Sequence, residues 1–161
     1  MSFTRDTNNK LENLNIGKKG IIKTWLQEHK IFTYEINEDF SIDVDQSVNL
    51  SNYKIDGSEL PSYIQFNLIR GWFNINKNNL TTLRGCPYKV LQWFSCESNQ
   101  LENLDCAPKF IEQGFYGQEN HKLTKVMAQY YVKTSDIRGP FYTDQCVIDI
   151  SKFPSDFDIY T

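Results

Sequence analysis

Apolar residues recur along residues 71–126 at a spacing of about 21, with polar segments between them. Leu80 returns as Leu101 and Leu83 as Leu104; Pro87 returns as Pro108, and Phe73 as Phe94 and Phe115. Asn78 returns as Asn99 and Asn120. A segment this short cannot bury its own apolar face, so successive copies must stack into a solenoid with one shared core. Within each copy the pattern alternates in steps of two, which predicts a short strand. Phe73 and Ile75, Phe94 and Cys96, and Phe115 and Gly117 then point inward. The residues between them face solvent in two columns, Trp72–Trp93–Gly114 and Asn74–Ser95–Tyr116. After each strand an L-x-x-L pair packs beneath a turn, and Gly85 and Pro87, like Pro108, end that segment.

The flanks follow other periods. Residues 1–15 are polar and predicted to be loose. From Lys18 to His29 the residues Ile21, Ile22, Trp25 and Leu26 form one helical stripe, with Lys23, Gln27 and Glu28 opposite. Such a helix would seal one end of the stack, whose last apolar layer is otherwise open to water. Alternation over 31–36, 40–44 and 48–50 predicts strands, with Asn37-Glu38-Asp39 as a hairpin turn. The third of these opens a degenerate copy, because Val48, Leu50 and Ile55 precede Phe73, Ile75 and Leu80 by 25 residues each. The extra residues fit a longer return around Gly57–Pro61. After Val126 the period ends. Residues 124–133 then read as a helix, 144–150 as a strand, and 152–161 as a polar, acidic tail. The expected architecture is α+β in a single domain, 1–161. A small solenoid of repeats (48–126) lies between an N-terminal helix/strand cap (1–47) and a C-terminal helix/strand cap (127–161).

Composition narrows the function. A charged fraction of 23% and a hydrophobic fraction of 40% belong to a folded chain. A net charge of −3 argues against a nucleic-acid partner, which calls for a basic stripe. The start MSFTRDTNNK lacks an apolar region and no run reaches membrane length, so a cytoplasmic protein without a membrane partner is expected. The alignment sets Cys96 opposite Ile75 and Cys86 opposite Ala107, which predicts small hydrophobes. There is no C-x-x-C, and His29 and His121 have no ligand spacing, so neither metal nor cofactor is expected. No catalytic motif is present either, and the chain is expected not to be an enzyme.

Two sets of residues are candidate partner contacts. Trp72 and Trp93 share an outward column, Asn74 and Tyr116 lie in the next, and Arg70 is adjacent; Trp, Tyr and Arg dominate interface energies. Cross-strand stacking that stabilises the sheet accounts for the same tryptophans. The acidic stretch from Glu35 to Asp45, with Glu38, Asp39 and Asp43, can steer the chain onto a basic partner, although a solvated face explains it as well. The asparagine column, with Asn52 as a candidate fourth member, is expected to hydrogen-bond backbone groups left unpaired by each turn. The sequence leaves self-association into a homodimer open.

The strings VNLSNYKIDGSELP and GWFNINKNNLTTLRGCP resemble the leucine-rich-repeat-like proteins encoded by large tailed phages, over residues 48–126. Copies in that family read close to L-T-S-L-x-G-A-P-K. Here they become Leu80-Thr81-Thr82-Leu83-Arg84-Gly85-Cys86-Pro87 and Leu101-Glu102-Asn103-Leu104-Asp105-Cys106-Ala107-Pro108-Lys109. The second copy has Cys106 where the family has glycine, and the third stops after Val126. In size and architecture the chain looks most like those that block the host ATP-dependent protease Lon. The resemblance therefore implies a small leucine-rich-repeat-like β-solenoid that acts in the host cytoplasm. It would bind Lon and stop ATP-driven degradation without mimicking a substrate. The family motif defines scaffold positions and transfers no inhibitory residue. The alternatives are a binding module for another host factor and a small enzyme with its site between solenoid and cap.

Overall fold

Phe73 pairs in register with Phe94, and Phe94 with Phe115. Their rings stack at centroid distances of 5.8 and 5.5 Å, and Phe141 extends the stack 4.7 Å beyond Phe115. All four are fully buried. In the computed structural model, which describes residues 3–55, 57–144 and 146–149, this spine is the interior of a parallel β-solenoid of about 4 turns.

The chain begins with α1 (Phe3–Glu28), followed by β1 (Tyr34–Ile36), β2 (Ile42–Val44), β3 (Val48–Asn49), β4 (Phe66–Ile69) and β5 (Phe73–Asn74). Then come β6 (Lys89–Val90), β7 (Trp93–Ser95), β8 (Phe110–Ile111) and β9 (Gly114–Tyr116). Helix α2 (Lys125–Lys133) precedes β10 (Asp136–Ile137), β11 (Pro140–Thr143) and β12 (Cys146–Asp149). Every turn gives one strand to each of two sheets, ordered β1-β2-β4-β6-β8-β10 and β12-β11-β9-β7-β5-β3. The pairings inside the stack are parallel; β1 on β2 and β12 on β11, at opposite ends, are antiparallel. The register Val48↔Phe73 places the degenerate copy where its 25-residue offset predicts.

Alternation over 31–36 and 40–44 predicted β1 and β2, but the rest of the first sheet was not legible from periodicity. β6 and β8 have two residues each, too few for alternation to register. Both ends of the ladder also run beyond the repeat grammar. β2 already pairs in parallel with β4, and β10 and β11 add a rung whose letters match no copy except for Phe141.

At the N-terminus the expectation of a loose 1–15 is corrected, since α1 runs from Phe3. No proline interrupts residues 3–28, so a helix nucleated at its packed end propagates backward. That end packs through Ile22, Trp25 and Leu26, whereas Ile21 is 55% exposed. The buried stripe is i, i+3, i+4 from Ile22, which turns Ile21 out. The helix stops in a Schellman arrangement: Lys30 has φ 59°, and Ile31 N–H and Lys30 N–H donate to the Leu26 and Gln27 carbonyls. Trp25 then meets Phe66, which packs edge-on against Phe73, so α1 closes the spine from below.

At the other end Thr124 caps α2 by accepting from the Met127 N–H at 3.3 Å. Val126, aligned with Leu83 and Leu104, is thereby carried onto the helix exterior and is 74% exposed. Ala128 and Tyr131 fill the interior instead. The Tyr131 ring covers Phe115 and Phe141, and its hydroxyl donates to the Pro108 carbonyl. The predicted strand 144–150 is found as β12, while the expected tail at 152–161 lies outside the described residues.

The asparagine column is structural. The Asn99 amide nitrogen donates to the carbonyls of Ile75, Cys96 and Glu97 at 3.0–3.3 Å, and its oxygen accepts from Asn78 and Leu80 N–H at 3.0 Å. Asn78 and Asn120 repeat the donor pattern one rung away on either side. Asn52 is not a member; it is exposed with φ 58°. With the 25-residue offset of the first copy it aligns with Lys77, which has φ 59°, and Tyr53 takes the asparagine position. Hence the Asn78 Oδ1, first in the ladder, is buried without a partner.

Cysteine follows the alignment. Cys86 and Cys96 are buried, and burial pushes both thiols well above their ordinary value. Gly117, at the position of Ile75 and Cys96, has no alternative: a Cβ there would lie 2.6 Å from the Phe115 ring.

Candidate functional site

The two sheets present different outer surfaces. On the first, charges cross from rung to rung. Arg70 Nε meets Asp45 at 2.5 Å, and Arg138 meets Glu112 at 3.2 Å and Asp136 at 3.5 Å. Phe110 lies between Lys89 (4.3 Å) and Arg138 (4.8 Å). These groups satisfy one another.

On the second sheet the outer side chains of β5, β7 and β9 are aromatic or uncharged. Strand alternation puts Trp72, Asn74, Trp93 and Tyr116 outside, and the registers Asn74↔Ser95↔Tyr116 and Trp93↔Gly114 set the two predicted columns side by side. Trp72 and Trp93 stack at 4.7 Å within 4° of parallel, and both are half-buried. Tyr116 stands edge-on to Trp93 at 6.4 Å and stacks on Tyr142 at 5.5 Å. The result is one continuous aromatic strip across four rungs. A ladder of this kind keeps its rings ordered before any partner arrives, which lowers the entropy lost on binding.

Of the eight residues singled out in the sequence, four come together: Trp72, Asn74, Trp93 and Tyr116. Arg70, beyond β4, is engaged by Asp45. Glu38, Asp39 and Asp43 belong to the β1–β2 hairpin at the edge of the first sheet. Asp43 accepts from Asn67 at 2.7 Å, and Asp39 accepts from the Ser41 hydroxyl (2.6 Å) and N–H (2.9 Å). Two of the acidic residues thus organise a turn and a strand pair, and the stretch does not adjoin the aromatic strip.

The Ser41 hydroxyl, then its N–H, holds the Asp39 carboxyl below the usual carboxylate range. A carboxyl depressed on folding supports the structure above its unfolded value and loses that support as pH falls through the folded one. Acidification below about pH 4 is therefore expected to loosen the 37–41 turn before the solenoid opens. Amide exchange at Phe40 and Ser41 followed against pH reads this directly, and uniform protection of that turn down to global unfolding would contradict it.

Three further residues complete the face. Asn76 and Glu97 occupy a third outward column that repeat alignment makes readable, since Glu97 follows Asn76 by 21. Tyr142 carried no such signal, because its rung lacks the repeat letters. No helix among the described residues is long and apolar enough to cross a membrane. No protein-family model matches this chain, and neither does any curated protein or solved structure.

Proposed function

We propose that this chain is a stoichiometric inhibitor of the host ATP-dependent protease Lon. It would be a leucine-rich-repeat-like phage protein of the kind typified by the T-even phage proteolysis inhibitor PinA. The support is the repeat grammar of residues 48–126, together with one structural observation that carries the docking face: the exposed-edge stack of Trp72 on Trp93. Aromatic residues held rigid in a sheet are the side chains that concentrate binding energy at interfaces.

The mechanism is thermodynamic. A rigid surface that fits one conformational state of a cycling ATPase holds the enzyme there, by no more than its differential affinity for that state. The protease is then stopped upstream of bond cleavage, in the host cytoplasm, with no residue of the inhibitor entering a peptidase site.

Purified Lon provides the test. ATP-driven degradation of a folded substrate is expected to fall linearly with added chain until a fixed molar ratio, while cleavage of a small unstructured peptide is affected less. Undiminished degradation at molar excess removes Lon as the target. Inhibition at ratios far below one chain per enzyme points to catalysis instead.

A further inference from the structure

Trp93 stacks on Trp72 through one ring face. On the opposite side the next rung places Gly114, which has no side chain, and Tyr116 approaches edge-on. A Cβ at Gly114 would lie 3.1 Å from the Pro140 carbonyl oxygen and 3.4 Å from its ring, so a larger residue there needs Pro140 to shift. Beside Trp93 lies a groove of about 280 Å³ lined by Asn74, Asn76, Trp93, Ser95, Glu97 and Tyr116.

Glu97 is the only charged group lining that groove, and it is held in place. Its Oε2 accepts from Asn76 Nδ2 at 3.1 Å, and its own N–H donates to Asn76 Oδ1 at 2.7 Å. The Ser95 hydroxyl lies 3.1 Å from Oε2 and 2.8 Å from Asn76 Oδ1, shared between them. Three glutamates elsewhere on the chain have a cation: Glu59 has Arg84, Glu102 has Lys122 and Glu112 has Arg138. Among the described residues no cation pairs with Glu97. An oriented carboxylate and an indole lining one groove, with asparagine side chains flanking both, is the chemistry that recognises a planar cation.

We propose that this groove receives an arginine side chain of the partner protein. The guanidinium lies against the Trp93 indole and directs its donors to Glu97 and the flanking asparagines. Arginine suits it better than lysine, because a guanidinium is planar, weakly hydrated and able to stack on an aromatic while donating in its own plane. The occupant is a basic segment of a protein, complementary to a chain of net charge −3. The inference rests on the second sheet being the docking face, and it names what that face selects.

The probe is acetyl-Gly-Arg-Gly-amide at millimolar concentration, with the citrulline tripeptide as its uncharged isostere, followed by nuclear magnetic resonance. The arginine peptide is expected to shift the Trp93 indole N–H and the Ser95 and Glu97 amides, and the citrulline peptide to shift them at least tenfold less. Glu97→Gln keeps the hydrogen-bond acceptor facing Asn76 and removes the charge; it should abolish that selectivity with an unchanged far-ultraviolet spectrum. Equal response to both peptides, no response, or selectivity that survives Glu97→Gln overturns the proposal. Arginine selectivity in a chain that does not bind Lon overturns the choice of partner and leaves the groove standing. Lon binding that is indifferent to Glu97→Gln, with no tripeptide response, does the reverse.

Discussion

Asn99→Ala is expected to destabilise the chain by about 3–5 kcal/mol, the largest effect of any polar substitution in it. The Asn99 side chain donates to three carbonyls and accepts from two N–H groups, linking its own turn to the rung before it. It is 6% exposed, so water cannot take over those bonds without opening the turn. Alanine leaves several buried backbone groups unpaired at once, and each orphan costs about 1–3 kcal/mol. The losses do not add fully, because the turn can relax, which sets the range given. Asn103→Ala is the control: its Oδ1 accepts only from the Asp105 N–H at an exposed turn, and a loss below about 1 kcal/mol is expected. Urea unfolding of both variants measures the difference. Equal, small losses would mean that the ladder is decorative and that stacking alone sets the rung spacing.

Under the proposed function, Trp72→Ala combined with Trp93→Ala is expected to weaken binding to Lon by at least about 100-fold, while the fold persists. The two rings stack on each other at 4.7 Å and are half-buried, so, beyond the apolar area each ring buries, removing both loses the pair itself, about 1 kcal/mol. Their energetic weight at an interface is larger, since a desolvated tryptophan commonly contributes 2 kcal/mol or more. Calorimetric titration against Lon, paired with a thermal melt, separates the two effects. A double variant that binds like the native chain removes the second sheet from the docking surface. A double variant that fails to fold moves the test to Tyr116→Ala, whose ring is the next on the strip.

The solenoid was legible in the sequence because its registers are written in large, repeated side chains. Phe73, Phe94 and Phe115 are identical letters at one spacing, and a parallel stack is the arrangement that buries all three in line. The structural role of the asparagine column followed from the same repetition, and so did the outward position of both tryptophans. Legibility failed wherever repetition did. Strands β6, β8 and β10 of the first sheet are too short to show a period, and α1 extends through residues whose polarity said nothing about conformation. Val126 kept its place in the alignment and still turned outward, because Thr124 starts a helix two residues before it. Within the acidic stretch, Asp39 and Asp43 hold a turn and a strand pair, contacts that no repetition announced.

By itself the sequence determined that near-identical rungs would stack, which residues would line the interior, and which columns would face out. Those outcomes depend on local alternation and on a fixed repeat length, and both are properties of the string. The tertiary structure alone decided that the outward columns lie on a sheet separate from the charged one. It also decided that Trp93 and Glu97 line one groove, and that no cation among the described residues pairs with Glu97 there. Such relations join residues of different rungs across ring planes and hydrogen-bond angles, and no spacing along the chain encodes them.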